Sequence, residues 1–148
     1  MSFIFTPTAT MLFRFSALTF NSHMIHLDPE FSRNVDGHPG TWRFYSPNTF
    51  YYLSHLSHPE RLVHGPLTSL LLLELASLLT PPGSKGPLAV KRYTYQARHP
   101  VLVGKALTLC GTYVRQKDNS IPRRMRLWAQ NEQQIVCMTG DAEFIVAD

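Results

Sequence analysis

Apolar positions along this chain change their period partway through. From Val90 onward they alternate with polar ones, which predicts four strands: Val90–Ala97, Lys105–Val114, Met125–Gln130 and Gln134–Val146. Turn-forming residues separate the later strands, at Lys117 to Ser120 and at Gln130 to Glu132. Before them, Pro66 to Leu79 is the clearest helix. Pro66 suits a first helical position, and Leu, Ala and Ser fill almost every place after it. A helix apolar nearly all round is expected at the centre of a fold. Pro81, Pro82 and Gly83 are expected to end it. One buried helix followed by a run of antiparallel strands predicts an α+β domain whose curved sheet wraps that helix.

The first half of the chain is less regular. Thr10 to Phe15 reads as a short strand, mixing apolar residues with β-formers. Asn21 to Asp28 is polar and contains two histidines. Pro29 to Arg33 predicts one or two helical turns, with Asp28 as the N-cap and Pro29 at the first helical position. Asn34 to His58 sustains neither period. It combines Gly37, Pro39, Gly40 and Pro47 with a cluster of aromatic residues. Residues from about Phe5 on are expected to belong to the fold.

With 148 residues the chain fits a single domain that buries a core without disulfides or metal. Apolar residues make up 44% and charged residues 16%, a globular composition. The net charge of +4 suits acidic or phosphorylated partners. No basic stripe interleaved with aromatics supports nucleic-acid binding. Cys110 and Cys137 have no metal-ligand spacing and read as reduced residues in apolar strands. Leu67 to Leu79 is too short to span a bilayer and contains Glu74, so no membrane partner is expected. The apolar start, Met1 to Phe20, lacks the basic beginning and small-residue cleavage site of a secretory signal.

Two segments carry groups able to do chemistry. Asn21 to Asp28 packs two imidazoles, an amide and a carboxylate into eight residues. Histidine takes and returns a proton near neutral pH, and an amide orients water without acting as a base. The same residues also fit a polar loop whose histidines cap a helix or satisfy backbone groups. In His64-Gly65-Pro66, a glycine stands directly before the long helix. The first N–H groups of a helix lack internal partners and lie at the positive end of its dipole. Glycine there lets a ligand oxygen come close, which suits a thioester carbonyl turning enolate-like. Gly65 also fits a plain tight turn.

The stretch LFRFSALTFNSHMIHLD, residues 12–28, resembles the active-site segment of fungal and mitochondrial 3-hydroxyacyl-thioester dehydratases and of mesaconyl-CoA hydratases. Both belong to the MaoC-like hot-dog superfamily. LVHGPL, residues 62–67, resembles the start of their central helix. The resemblance runs from about Phe5 to Val146 and implies a hot-dog fold, an antiparallel curved sheet around one long central helix. It also implies a hydro-lyase interconverting (R)-3-hydroxyacyl and trans-2-enoyl thioesters of coenzyme A or acyl carrier protein, with no cofactor and no metal. The wider superfamily motif reads D-x-N-P-x-H-x-D. Laid on it, His26 matches the catalytic histidine, Asn21 takes the place of the first aspartate, and His23 that of the asparagine. The implied catalytic residues are therefore Asn21, His26 and His23. His26 would remove the α-proton, Asn21 would hold the hydroxyl, and His23 would tune or assist. His64, Gly65 and Pro66 would bind substrate, with the Gly65 N–H on the thioester oxygen. Asp28 is read as structural.

The resemblance is interrupted at about residues 40–57. Deleting that segment would restore the family spacing between Asp36–Pro39 and Glu60–Gly65. It is read as an insertion or as translated intron sequence. A lone hot dog leaves a sheet edge and a tunnel uncovered, so a homodimer or pairing with a second hot-dog domain is expected. Arg123, Arg124 and Arg126 form a basic cluster that fits either phosphate contact or a solvated turn. Relatives imply a mitochondrial location, with cytoplasm or peroxisome as alternatives. Two other readings stay open: a hot-dog thioesterase, for which Glu74 is the one carboxylate on the central helix, and an inactive fragment or pseudoenzyme.

Overall fold

The computed structural model describes residues 2–34, 60–79, 89–114 and 123–145. The expected insertion at 40–57, the Pro81–Gly83 stop and the Lys117–Ser120 turn lie outside them. The elements run β1 (Ser2–Phe5), α1 (Ala9–Thr19), a 3-10 turn (Met24–His26), α2 (Pro29–Asn34), α3 (Gly65–Leu78), β2 (Ala89–Ala97), β3 (Leu107–Tyr113), β4 (Arg124–Gln130) and β5 (Val136–Ile145). The five strands form one antiparallel sheet in the order β1-β3-β4-β5-β2.

The sheet packs on α3 through central strands that alternate. In β4, Met125, Leu127 and Ala129 point to the core, and Arg124 and Arg126 point outward. Outside, Arg124 stands opposite Glu143 and Arg126 opposite Asp141, so the solvated face carries opposite charges across the ladder. Inside, Leu72, Leu75 and Ala76 of α3 meet Leu109, Leu127 and Phe144 from the sheet. α3 packs on β3, β4 and β5. This is the hot-dog arrangement, an α+β fold. Cys110 and Cys137 are buried free thiols, and burial raises the pKa of both, so they stay protonated.

Three expectations are corrected. Thr10 to Phe15 is not a strand but part of α1. The Thr8 side chain accepts the Met11 N–H and caps the helix, and Leu12 and Ser16 are buried one turn apart. Phe13, which suggests a strand, is exposed on this helix. The fold also begins before Phe5: Ser2 pairs with Cys110 in β3. Finally, α3 is not buried all round. Pro66, Leu70, Glu74 and Leu78, four residues apart, leave one stripe open, with Leu70 52% and Leu78 70% exposed. The strand bounds otherwise agree with the alternation to within two residues.

One sheet-to-helix tie depends on a missing side chain. The Tyr93 hydroxyl of β2 donates to the Ser69 carbonyl of α3 at 2.9 Å. Its ring lies over Gly140 of β5, where a Cβ would meet it at 3.1 Å. Gly140→Ala is expected to push the ring away and cost about 1–3 kcal/mol. Tyr93→Phe removes only the hydrogen bond and is expected to cost about 1 kcal/mol. Urea denaturation of the two variants measures both, and equal costs would contradict this account.

Candidate active site

The site begins where α1 ends. Phe20 takes a left-handed conformation at φ 52°, and its N–H and that of Asn21 close the helix on the Ala17 and Ser16 carbonyls. Asn21 Oδ1 then accepts the His23 N–H at 3.1 Å, and His23 Nδ1 accepts the Ile25 N–H at 3.4 Å. These local bonds set up the 3-10 turn that carries His26. Asp28 Oδ1 accepts the Glu30 and Phe31 N–H groups and caps α2, the structural role expected of it.

The second segment is clamped to the first. The Leu62 N–H donates to the Ile25 carbonyl at 2.9 Å, and His26 Nδ1–H donates to the Leu62 carbonyl at 2.8 Å. A carbonyl only accepts, so His26 carries its proton on Nδ1 and keeps Nε2 as its basic nitrogen. Val63 bonds through its N–H to the Val101 carbonyl at 2.8 Å. These ties bring His64, the residue before α3, onto His26: the rings stack with centroids 3.7 Å apart and 24° between planes. Ser16 Oγ of α1 shares a 2.9 Å hydrogen bond with His64 Nε2, and Phe15 meets the His64 ring edge-on at 4.9 Å.

Burial governs the charge of both rings. Desolvation lowers the His26 pKa below 6.5, partly offset by the bond to Leu62, with His23 adding a further lowering. Desolvation, with His26 as the second cause, lowers His64 to about 4. Both imidazoles are therefore neutral at pH 7. Gly65 opens α3 with an N–H that has no partner within the helix, and a Cβ there would meet nothing within 4 Å.

A cavity of about 410 Å³ unites Asn21, His26, His64, Gly65 and Pro66. Its walls combine apolar Ile25, Val63, Val101, Cys137 and Met138 with the polar groups of Thr68 and His99. His23 does not line it; it is exposed, with its ring beside Phe31 at 6.3 Å. Glu74 lies on the open stripe of α3, outside the cavity. Arg124 and Arg126 are on the outer sheet face, whereas Arg98, just after β2, lines the cavity. Sequence reasoning did not single out Arg98, Tyr95 or Ser16. Ser16 becomes visible only once residues 9–19 are read as a helix, which puts it one turn from Leu12. Among the described residues no three His, Cys, Asp or Glu side chains come together as a metal-ligand group, and no helix is long and apolar enough to cross a membrane.

Comparison with known proteins follows the same residues. The sequence model of one family, hydroxyacyl-thioester dehydratase type 2, matches residues 1–41. The chain is 40% identical over 70 residues to mesaconyl-C(4)-CoA hydratase of Chloroflexus aurantiacus, covering 47% of this chain and 18% of that protein. It is 32% identical over 109 residues to the mitochondrial hydroxyacyl-thioester dehydratase type 2 of Schizosaccharomyces pombe, covering 74% of this chain and 29% of that protein. The chain thus spans less than a third of the length of either relative. An (R)-hydratase from A. caviae involved in PHA biosynthesis superimposes with a TM-score of 0.71 at 18% identity, covering 99% of this chain and 93% of that one. Sequence and fold point the same way: this chain is a hot-dog domain similar in sequence to hydroxyacyl-thioester dehydratase type 2 and mesaconyl-C(4)-CoA hydratase.

Proposed function

We propose that the chain interconverts (R)-3-hydroxyacyl thioesters with trans-2-enoyl thioesters and water, on coenzyme A or acyl carrier protein. The observation that carries this reading is His26. Its Nδ1 proton is committed to the Leu62 carbonyl, and the ring lines an apolar cavity beside Asn21 and the first N–H of α3. In dehydration, His26 Nε2 takes the α-proton, and the Gly65 N–H supports the charge that develops on the thioester oxygen. The Asn21 carboxamide holds the β-hydroxyl. His26 then returns its proton as the C–O bond breaks, so an alkene and water leave and nothing is oxidised or reduced. His64 and Pro66 complete the wall on the helix side. His23 acts from outside, holding the turn and disfavouring charge on His26. The names of the relatives support the reaction class.

The chain works as a pair of hot dogs in this reading, two copies or one copy with a second domain. β2 ends the sheet with one edge unpaired by any other described strand, and α3 leaves its Leu70 and Leu78 stripe open. The name of the Schizosaccharomyces pombe protein favours mitochondria as the location.

Three outcomes test this. His26→Ala is expected to lower kcat/KM for crotonyl-CoA hydration by about 10²–10⁴-fold while circular dichroism stays unchanged; full activity in that variant rejects the assignment. Because His26 must be neutral to act as base and its pKa lies below 6.5, activity should hold on descending through pH 6.5 and fall only at lower pH. A kcat/KM profile whose acid limb lies above 6.5 contradicts this. Sedimentation of the purified chain should give a dimer, and a folded monomer at all concentrations would refute self-pairing.

A further inference from the structure

His64 is better placed than its position before a helix requires. It is 1% exposed, and although it stands at the N-cap of α3 its side chain makes no capping hydrogen bond. Its two ring nitrogens have different fates. Nε2 meets Ser16 Oγ at 2.9 Å, and Nδ1 is buried with no hydrogen-bond partner. A buried polar atom left unpaired costs about 1–3 kcal/mol, so a site that keeps one has a use for it.

Counting donors selects the tautomer. If Nε2 carried the proton and donated to Ser16, two groups would lack partners: the serine O–H, which makes no other hydrogen bond among the described residues, and the Nδ1 lone pair. If Ser16 donates to Nε2, the serine is satisfied and one group is left, an N–H at Nδ1. The ring that bears it lines the cavity, stacks on His26 at 3.7 Å, and directly precedes Gly65, whose N–H opens the helix.

We propose that His64 is a side-chain donor to the substrate's thioester oxygen, acting through Nδ1–H beside the Gly65 N–H, and that Ser16 is the positioning residue that holds His64 in that tautomer. The inference rests on the hydratase reading and adds to it a second donor and a residue on α1. A neutral imidazole suits the task. It gives a hydrogen bond to a developing negative charge without bearing a positive charge that would repel protonated His26. The pKa of about 4 keeps His64 neutral through the catalytic cycle at pH 7.

The test has two readouts on the full chain. Long-range proton–nitrogen correlation on chain labelled with nitrogen-15 histidine is expected to show Nδ1 protonated and Nε2 unprotonated in His64. Ser16→Ala should shift that balance toward Nε2–H. With crotonyl-CoA, His64→Phe is expected to lose about 10²–10³-fold in kcat, and His64→Gln, which keeps an N–H donor, should lose less. An Nε2-protonated His64 in the wild-type chain overturns the inference whatever the activity, and this readout needs no variant to fold. A folded His64→Phe with kcat within a few-fold of wild type also overturns it. A wild-type chain inactive on crotonyl-CoA and longer enoyl thioesters defeats the proposed function, and the donor role falls with it even if Nδ1 is protonated.

Discussion

The backbone of one residue joins the two halves of this site. Leu62 gives its N–H to Ile25 and takes the His26 Nδ1 proton on its carbonyl. These two bonds link segments about 36 residues apart in sequence, and they do so at an imidazole that lines the cavity. Because a peptide carbonyl cannot give a proton back, the bond also decides which nitrogen of His26 is basic. Orientation and protonation are thus set by the main chain, which mutation of Leu62's side chain would leave in place.

A further consequence is electrostatic. Two histidines stacked at 3.7 Å in an apolar cavity cannot both hold a charge, and burial lowers both from the outset. The pair therefore offers one vacancy for a proton. His26 keeps the higher claim because its bond to Leu62 favours the charged ring, whereas the causes acting on His64 all lower it. The difference between the two rings follows from their surroundings rather than from residue type.

How much of this is legible in the sequence differs by element. The α3 helix and the four later strands are readable because their periods are sustained and their ends carry turn residues. Asp28 is readable because a cap followed by proline leaves few alternatives. α1 misleads: Phe13 and Phe15 look like strand residues, and the Thr8 cap and the buried pair Leu12 and Ser16 outweigh them. β1 has only four residues, and its pairing with β3 spans more than a hundred positions, which no local pattern encodes. For the site, the motif locates Asn21, His26 and the helix start, and the cavity unites them. Motif spacing alone does not exclude His23 from the cavity; it stands before the 3-10 turn in extended backbone, so its ring does not follow the turn's own period. The contact between Ser16 and His64 joins residues 48 apart and comes only from the fold.

The side chain of Phe20 is 96% exposed and contributes no packing, yet its backbone sits in a region that costs a non-glycine residue about 1 kcal/mol or more. Glycine would relieve that strain and, in doing so, let the joint between α1 and Asn21 swing. The phenylalanine acts as a stiff elbow: it narrows the arc through which the carboxamide can move, and the molecule accepts a slightly shallower energy well in return for a steadier aim.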